Sequence, residues 1–185
     1  MASEHPSEPH WQTLSEGTVY SGRMTIVQRE ALLPGGERIS FEVDASIPFA
    51  VAILVLTSNG EVYLSRQYRY PIDRWIYDLP GGAGNADETP MEAAARECEE
   101  ETGLVPLDLT PLHTFWLNPG RSSWPVHIFA CTATTPGTVD RSDPSEQITA
   151  VRMPVRELDD LIATGEIVDP TLLVARLMAG VRGLL

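Results

Sequence analysis

Apolar and polar positions alternate in short runs along most of this chain, and the period lengthens to a helical one in three places. From Thr18 to Leu33, "TVYSGRMTIVQREALL", the alternation predicts a strand. "LPGGE" supplies a turn and "RISFEV" a second strand, giving an antiparallel hairpin. "FAVAILVL" (Phe49 to Leu56) is apolar throughout and predicts a buried strand, too short to cross a bilayer. "TSNG" turns into a further strand, "EVYLSRQYR", and "WIYDLPGG" is a short strand ending in glycines. Thr89 to Thr102 reads as a helix. "LHTFWL" and "VHIFACTAT" read as strands joined by the loop "NPGRSSWP", and "TTPGTVDRSDPSEQ" as a long surface loop. "ITAVRMPV" is a strand, and "RELDDLIATG" and "PTLLVARLMAGV" are helices. Strands and helices mix without strict alternation. The expected class is therefore α/β (α+β), a mixed sheet covered by helices.

Length and charge narrow this picture. A chain of 185 residues suits one domain with a small appended part. Residues 1–10 read as a disordered tail, 11–45 as an N-terminal β subdomain and 46–185 as the main domain. The formal charge of −13 disfavours non-specific binding to nucleic acid or to an anionic membrane. It still permits an anionic ligand if cations bridge the two. The opening "MASEHPSEPH" has neither a basic start nor an apolar segment, so no secretory leader is expected. Cys98 and Cys131 show no CxxC spacing, which fits thiols used as small core residues in a reducing cytoplasm.

The stretch "RECEEETGL" (Arg96 to Leu104) raises the chemical question, because like charges one helical turn apart repel. "TPME" makes Thr89 an N-cap, with Pro90 at the first helical position and Glu92 closing a capping box. Gly103 falls where a left-handed cap belongs. At the helical period Glu97, Glu100 and Glu101 share one side, and Arg96 stands four residues before Glu100. Ala93 and Ala94 lie one turn earlier on that side and are expected to leave room for a ligand. Met91, Ala95, Cys98 and Thr102 are expected to form the packed stripe, and Glu99 to point into solvent. The alternative is a merely solvated acidic face. The small neighbours and the adjacent "LPGGAGN" loop favour a hard divalent cation held by carboxylate and backbone oxygens.

These residues also carry a family pattern. Gly82, five residues, Glu88, seven residues and then "RECEEETGL" complete G-x5-E-x7-R-E-U-x-E-E-x-G-U, where U is bulky and apolar. The pattern resembles the Nudix box, with Cys98 as a soft departure at an apolar position. The flanks "SRQYRYPIDRWIYDLPGG", "NPGRSSWPVHIFAC", "SEQITAVRMPVREL" and "GEIVDPTLLVARL" resemble the ADP-ribose pyrophosphatase branch, as does "WQTLSEGTVYSG". The likeness runs from about residue 11 to 180.

The resemblance implies the Nudix fold, with the mixed sheet sandwiched between helices and an N-terminal antiparallel hairpin subdomain. It implies hydrolysis of a nucleoside diphosphate sugar with Mg²⁺, or alternatively Mn²⁺. Glu97, Glu100, Glu101 and the Gly81 carbonyl would hold the metal, with Glu146 joining as ligand or general base and Asp143 as its substitute. Gly82, Glu88, Arg96 and Gly103 would be structural. Arg69 and Arg66 are expected to grip the diphosphate. Pro119, Gly120, Arg121 and Ser122 are expected near the terminal ribose, and Trp11 is a candidate to stack on adenine. His113 and His127 are expected to be structural, and Trp75, Trp116 and Trp124 to serve as core or pocket wall. ADP-ribose leads the implied substrates, ahead of GDP-mannose or UDP-glucose. A non-catalytic ADP-ribose-sensing module is the reading from another class. The resemblance further implies a homodimer built through the hairpin region.

Overall fold

The computed structural model describes residues 9–140 and 147–185. Most of the predicted tail, residues 1–8, lies outside them, as do Asp143 and Glu146. The chain divides into two compact units. One comprises Met1–Ser46 with Asn118–Trp124, and the other Ile47–Leu117 with Pro125–Leu185.

The first unit is a three-stranded antiparallel meander of β1 (Gln12–Ser21), β2 (Thr25–Leu32) and β3 (Arg38–Asp44). The single strand expected at 18–33 is thus two strands. The chain reverses between Ser21 and Thr25, where the Gly22 N–H donates to the Met24 carbonyl at 2.9 Å. The second reversal lies in the expected "LPGGE" turn, with Gly36 in the left-handed region at φ 90°. Asn118–Trp124 is tied to the end of β3. The Asp44 N–H donates to the Arg121 carbonyl at 2.8 Å, and the Ser123 N–H to the Asp44 carbonyl at 3.2 Å. The Asp44 carboxylate accepts from Trp124 Nε1 at 3.3 Å and from Ser46. Burial acts upward on this carboxyl, but these donors together hold it below its ordinary range.

The second unit is built on a mixed sheet. Its path runs through β12 (Ile148–Pro154), β5 (Glu61–Arg69), β4 (Ala50–Leu56), β10 (Val126–Cys131) and β9 (Thr110–Phe115). β4 and β10 are parallel and the other pairs antiparallel. β4 and β5 stay paired only at Val55–Leu56 and Val62–Tyr63. Beyond that they diverge. β6 (Arg74–Asp78) takes the freed edge of β5, and β7 (Gly81–Ala83) the freed edge of β4. The link between these two short strands is Leu79–Pro80, so the glycine loop starts inside the fork.

Alternation along β4 explains why "FAVAILVL" is apolar throughout. Ala52, Leu54 and Leu56 face one core, with Leu64, Ile128, Leu158 and Leu172. Val51, Ile53 and Val55 face another, with Phe129, Ala93, Ala94 and Cys98. The helix α1 (Pro90–Thr102) covers the second face, and α2 (Val155–Ala163) and α3 (Pro170–Val181) cover the first. Helices therefore sandwich the sheet, as the sequence implied. The small strands β8 (Leu104–Pro106) and β11 (Thr134–Pro136) pair with each other, so the expected loop at 134–147 begins with a strand.

Candidate active site

Local chemistry fixes α1. The Thr89 side chain accepts from the Glu92 N–H, the Glu92 carboxylate accepts from the Thr89 N–H at 2.8 Å, and Pro90 opens the helix. Gly103 closes it at φ 69°. The face it buries differs from the expected one. Ala93 and Ala94 are fully buried with Cys98, whereas Met91 is 45% exposed. The alanines therefore let the helix approach the sheet rather than a ligand. Glu99 is not free in solvent either, since it accepts from the Thr138 N–H at 3.1 Å and ties α1 to the segment after β11.

Three carboxylates converge on one guanidinium. Arg96 donates to Glu88 at 2.8 Å, to Glu97 at 2.7 Å and to Glu100 at 3.0 Å. It also donates to the Ala83 carbonyl at 3.3 Å, which joins the helix to β7. Arg96 and then the Asn85 N–H pull the Glu88 carboxyl down to about 2. The same partners hold the guanidinium further above its already high range.

Glu101 faces elsewhere. It accepts from the Ser65 hydroxyl at 2.5 Å and from the Gly81 N–H. Burial pushes its carboxyl up to about 8. The Ser65 bond opposes that rise, and the negative charges of Asp78 and Glu97 add to it. The glycine loop leaves space for these acids. A Cβ on Gly82 would stand 2.7 Å from Glu97 Oε1, and one on Gly81 would collide with the Val51 carbonyl.

The donor set suits a hard cation. It consists of carboxylate oxygens crowded at the glycine loop, one of them buried among like charges. Among the described residues, however, no three acidic, histidine or cysteine side chains converge on one point. Glu97 and Glu100 are turned onto Arg96, and Glu101 onto Ser65.

The two arginines expected to act together do not. Arg69 pairs with the Asp78 carboxylate, and its side chain is 46% exposed. Arg66 lies over the Tyr77 ring at 4.5 Å. Three residues apart on one strand, they point to opposite faces. Asp78 is 6% exposed, and burial pushes its carboxyl up to about 6 against the pull of Arg69. Asp169, the N-cap of α3, lies close enough to raise Asp78 further.

Within the first unit, Trp11, Pro119, Gly120, Arg121 and Ser122 line a single cavity of about 340 Å³, together with Arg29 and Phe41. Trp11 meets Phe41 edge-on at 6.4 Å. Trp11 and the 119–122 loop, expected at the adenine and at the terminal ribose, thus share one cavity. Among the other aromatic residues, His127 bonds Thr114 at 3.0 Å and meets Phe49 edge-on, and His113 stacks on Phe115. Trp75 and Trp116 are about half exposed rather than core, at 46% and 49%.

Ser65, Gln67 and Asp78, the buried polar residues among those described, are not among the site residues expected from the sequence. Asp78 ends an apolar strand, which is a signal, but Ser65 and Gln67 share a face of β5 with Glu61 and Arg69, so the alternation does not mark them as buried.

The NUDIX domain model matches residues 47–173. The chain belongs to the Nudix family. The pattern from Gly82 to Leu104 is thus the Nudix box, carried on β7, the glycine loop and α1. The Nudix chain is 34% identical over 119 residues to an ADP-ribose pyrophosphatase of Bacillus subtilis (strain 168), covering 64% of each protein. It is 30% identical over 166 residues to an ADP-ribose pyrophosphatase of Mycobacterium tuberculosis (strain ATCC 25618 / H37Rv), covering 88% of this chain and 80% of that one. The chain therefore spans less than two thirds of the length of the Bacillus relative. A crystal structure of an ADP compounds hydrolase shares the fold, with TM-score 0.77 and 22% identity over 93% of this chain and 92% of the other.

Proposed function

We propose that this Nudix protein hydrolyses the pyrophosphate bond of ADP-ribose to AMP and ribose 5-phosphate with Mg²⁺. The observation that carries the reading is Glu101: a buried carboxyl on the box helix, beside Glu97, at a glycine loop where a Cβ on Gly81 would strike the Val51 carbonyl. Glu97, Glu101 and the Gly81 carbonyl would hold the metal, with Glu100 assisting. When bound, a divalent ion activates water and offsets charge on the phosphate oxygens. Arg96 holds Glu97 and Glu100 in place from the helix's own surface. Arg69, anchored by Asp78 yet half exposed, is the residue assigned to the diphosphate. Arg66 is committed to Tyr77 and is the weaker candidate. The cavity with Trp11, Phe41, Arg121 and Ser122 offers a ring edge, a cation and a hydroxyl, which suits a nucleobase with its ribose. Glu146 keeps its sequence-based assignment as a further ligand or base.

A homodimer is part of the proposal. β1 is exposed along its whole length, and Val19 and Tyr20 are each 56% exposed beside Met24 at 48%. A second copy covering that strand would remove an exposed apolar sheet edge. Light scattering at micromolar concentration tests this, and a monomer refutes it. No helix among the described residues is long and apolar enough to cross a membrane. Both cysteines are free and buried, which supports a reducing cytoplasm.

The functional test is a hydrolysis panel of ADP-ribose, GDP-mannose, UDP-glucose and NADH with Mg²⁺, repeated on Glu101→Gln. ADP-ribose is expected to give the highest kcat/KM, and Glu101→Gln to lose at least about a hundredfold in kcat. A tenfold lead by another substrate refutes the substrate. Near-normal turnover in the variant refutes the site.

A further inference from the structure

Ser65 lies on the face of β5 that also carries Glu61, Tyr63, Gln67 and Arg69, yet it is buried. It is 1% exposed, so water cannot satisfy its hydroxyl. Its backbone is gripped on both edges, opposite Ala150 of β12 and Asp78 of β6, which fixes the Cβ direction. The hydroxyl donates to Glu101 Oε2 at 2.5 Å, across 36 positions of sequence. We propose that Ser65 is a positioning residue for Glu101, orienting its carboxylate for a divalent cation. This rests on the reading of Glu101 as a metal ligand.

Lone pairs decide what the bond does. An ionised carboxylate only accepts, through about four sites on its two oxygens. The Ser65 hydroxyl and the Gly81 N–H occupy two of them from rigid strands and fix the plane of the group. The remaining sites are left for a cation. Partners of this kind, which orient a ligand without touching the metal, typically change metal affinity 10- to 100-fold when removed, as a rough guide. A buried serine on a central strand has no evident packing advantage over alanine or valine, and the bond to Glu101 is what its hydroxyl adds.

The test is Mn²⁺ binding to the full chain, followed by electron paramagnetic resonance of free Mn²⁺. The variants are Ser65→Ala, Ser65→Cys, Ser65→Thr and Glu101→Gln, with unfolding in EDTA as the control for folding. Cysteine keeps the unbranched shape but is a weak donor, and threonine keeps the hydroxyl. Ser65→Ala and Ser65→Cys are expected to bind Mn²⁺ at least about tenfold more weakly, with Ser65→Thr restoring most of the affinity. Wild-type affinity in Ser65→Cys, with loss in Glu101→Gln, overturns the role of Ser65 alone. Wild-type affinity in both overturns the metal assignment of Glu101 and this inference with it.

Discussion

Replacing Asp78 by asparagine should make the metal-free protein more stable and a poorer enzyme. Asp78 is 6% exposed, and its carboxyl is pushed up from 3.8 to about 6 even with Arg69 beside it. Arg69 is half hydrated, so its attraction does not match the cost of burying the carboxylate. The folded state thus holds the proton more tightly than the unfolded state does. The cost is fully present above about pH 6, shrinks as pH falls and is gone below about 3.8. At 1.36 kcal/mol per pH unit, the gap between 3.8 and about 6 corresponds to about 3 kcal/mol. Asparagine has nearly the same shape, carries no charge and can still accept from Arg69. Asp78→Asn should therefore gain up to about 3 kcal/mol at pH 7.5, or roughly 6–12 °C in Tm for a chain of this size. The gain should fade by pH 4. Urea and thermal unfolding in EDTA at both pH values measure it. The substitution also loosens Arg69, so KM for ADP-ribose should rise about tenfold, a loss of about 1.4 kcal/mol in binding. Equal or lower stability at pH 7.5, or a gain undiminished at pH 4, refutes the reasoning.

Gly82→Ala should displace Glu97, because the new methyl would lie 2.7 Å from its carboxylate. Mn²⁺ affinity should fall at least about tenfold while the circular dichroism spectrum stays native. Arg96→Gln should flatten the acid limb of the stability curve. The Arg96-paired Glu88 carboxyl, depressed to about 2, contributes stability that is present above 4.5 and lost toward 2. An unchanged limb between pH 4.5 and 2 would show that this pairing contributes nothing. Thr89→Ala removes the acceptor for the Glu92 N–H and should cost about 1 kcal/mol in urea unfolding.

What the sequence revealed is what local rules govern. The cap, the box and the C-terminal glycine of α1 depend on neighbours within a few positions, and all three are present as read. The buried strand β4 was legible from its unbroken apolar run. The inner face of α1 was not. Ala93 and Ala94 suit close approach to a ligand or to a sheet equally well, and only the sheet's presence decides. The turn at Gly22 had a local signal in the run Ser21–Gly22–Arg23, which interrupts the alternation, and the longer period of the flanking residues outweighed it. Arg66 and Arg69 are a different case: strand periodicity alone separates them, and the likeness to a motif outweighed it. Asp78 was visible as a polar residue closing an apolar strand, whereas the burial of Ser65 and the partners Glu101 and Arg69 follow only from the fold.

The segment Asn118–Trp124 has a consequence for how such a protein can change over generations. It is held by the backbone of Asp44, more than seventy residues earlier, and Trp124 bonds that same aspartate. A truncation at residue 46 would strip the segment of its anchor, and deleting the segment would leave Asp44 without its main donors from that side. Trading one N-terminal module for another by recombination therefore requires a matched replacement far downstream, so the two pieces of chain are expected to be inherited as a pair.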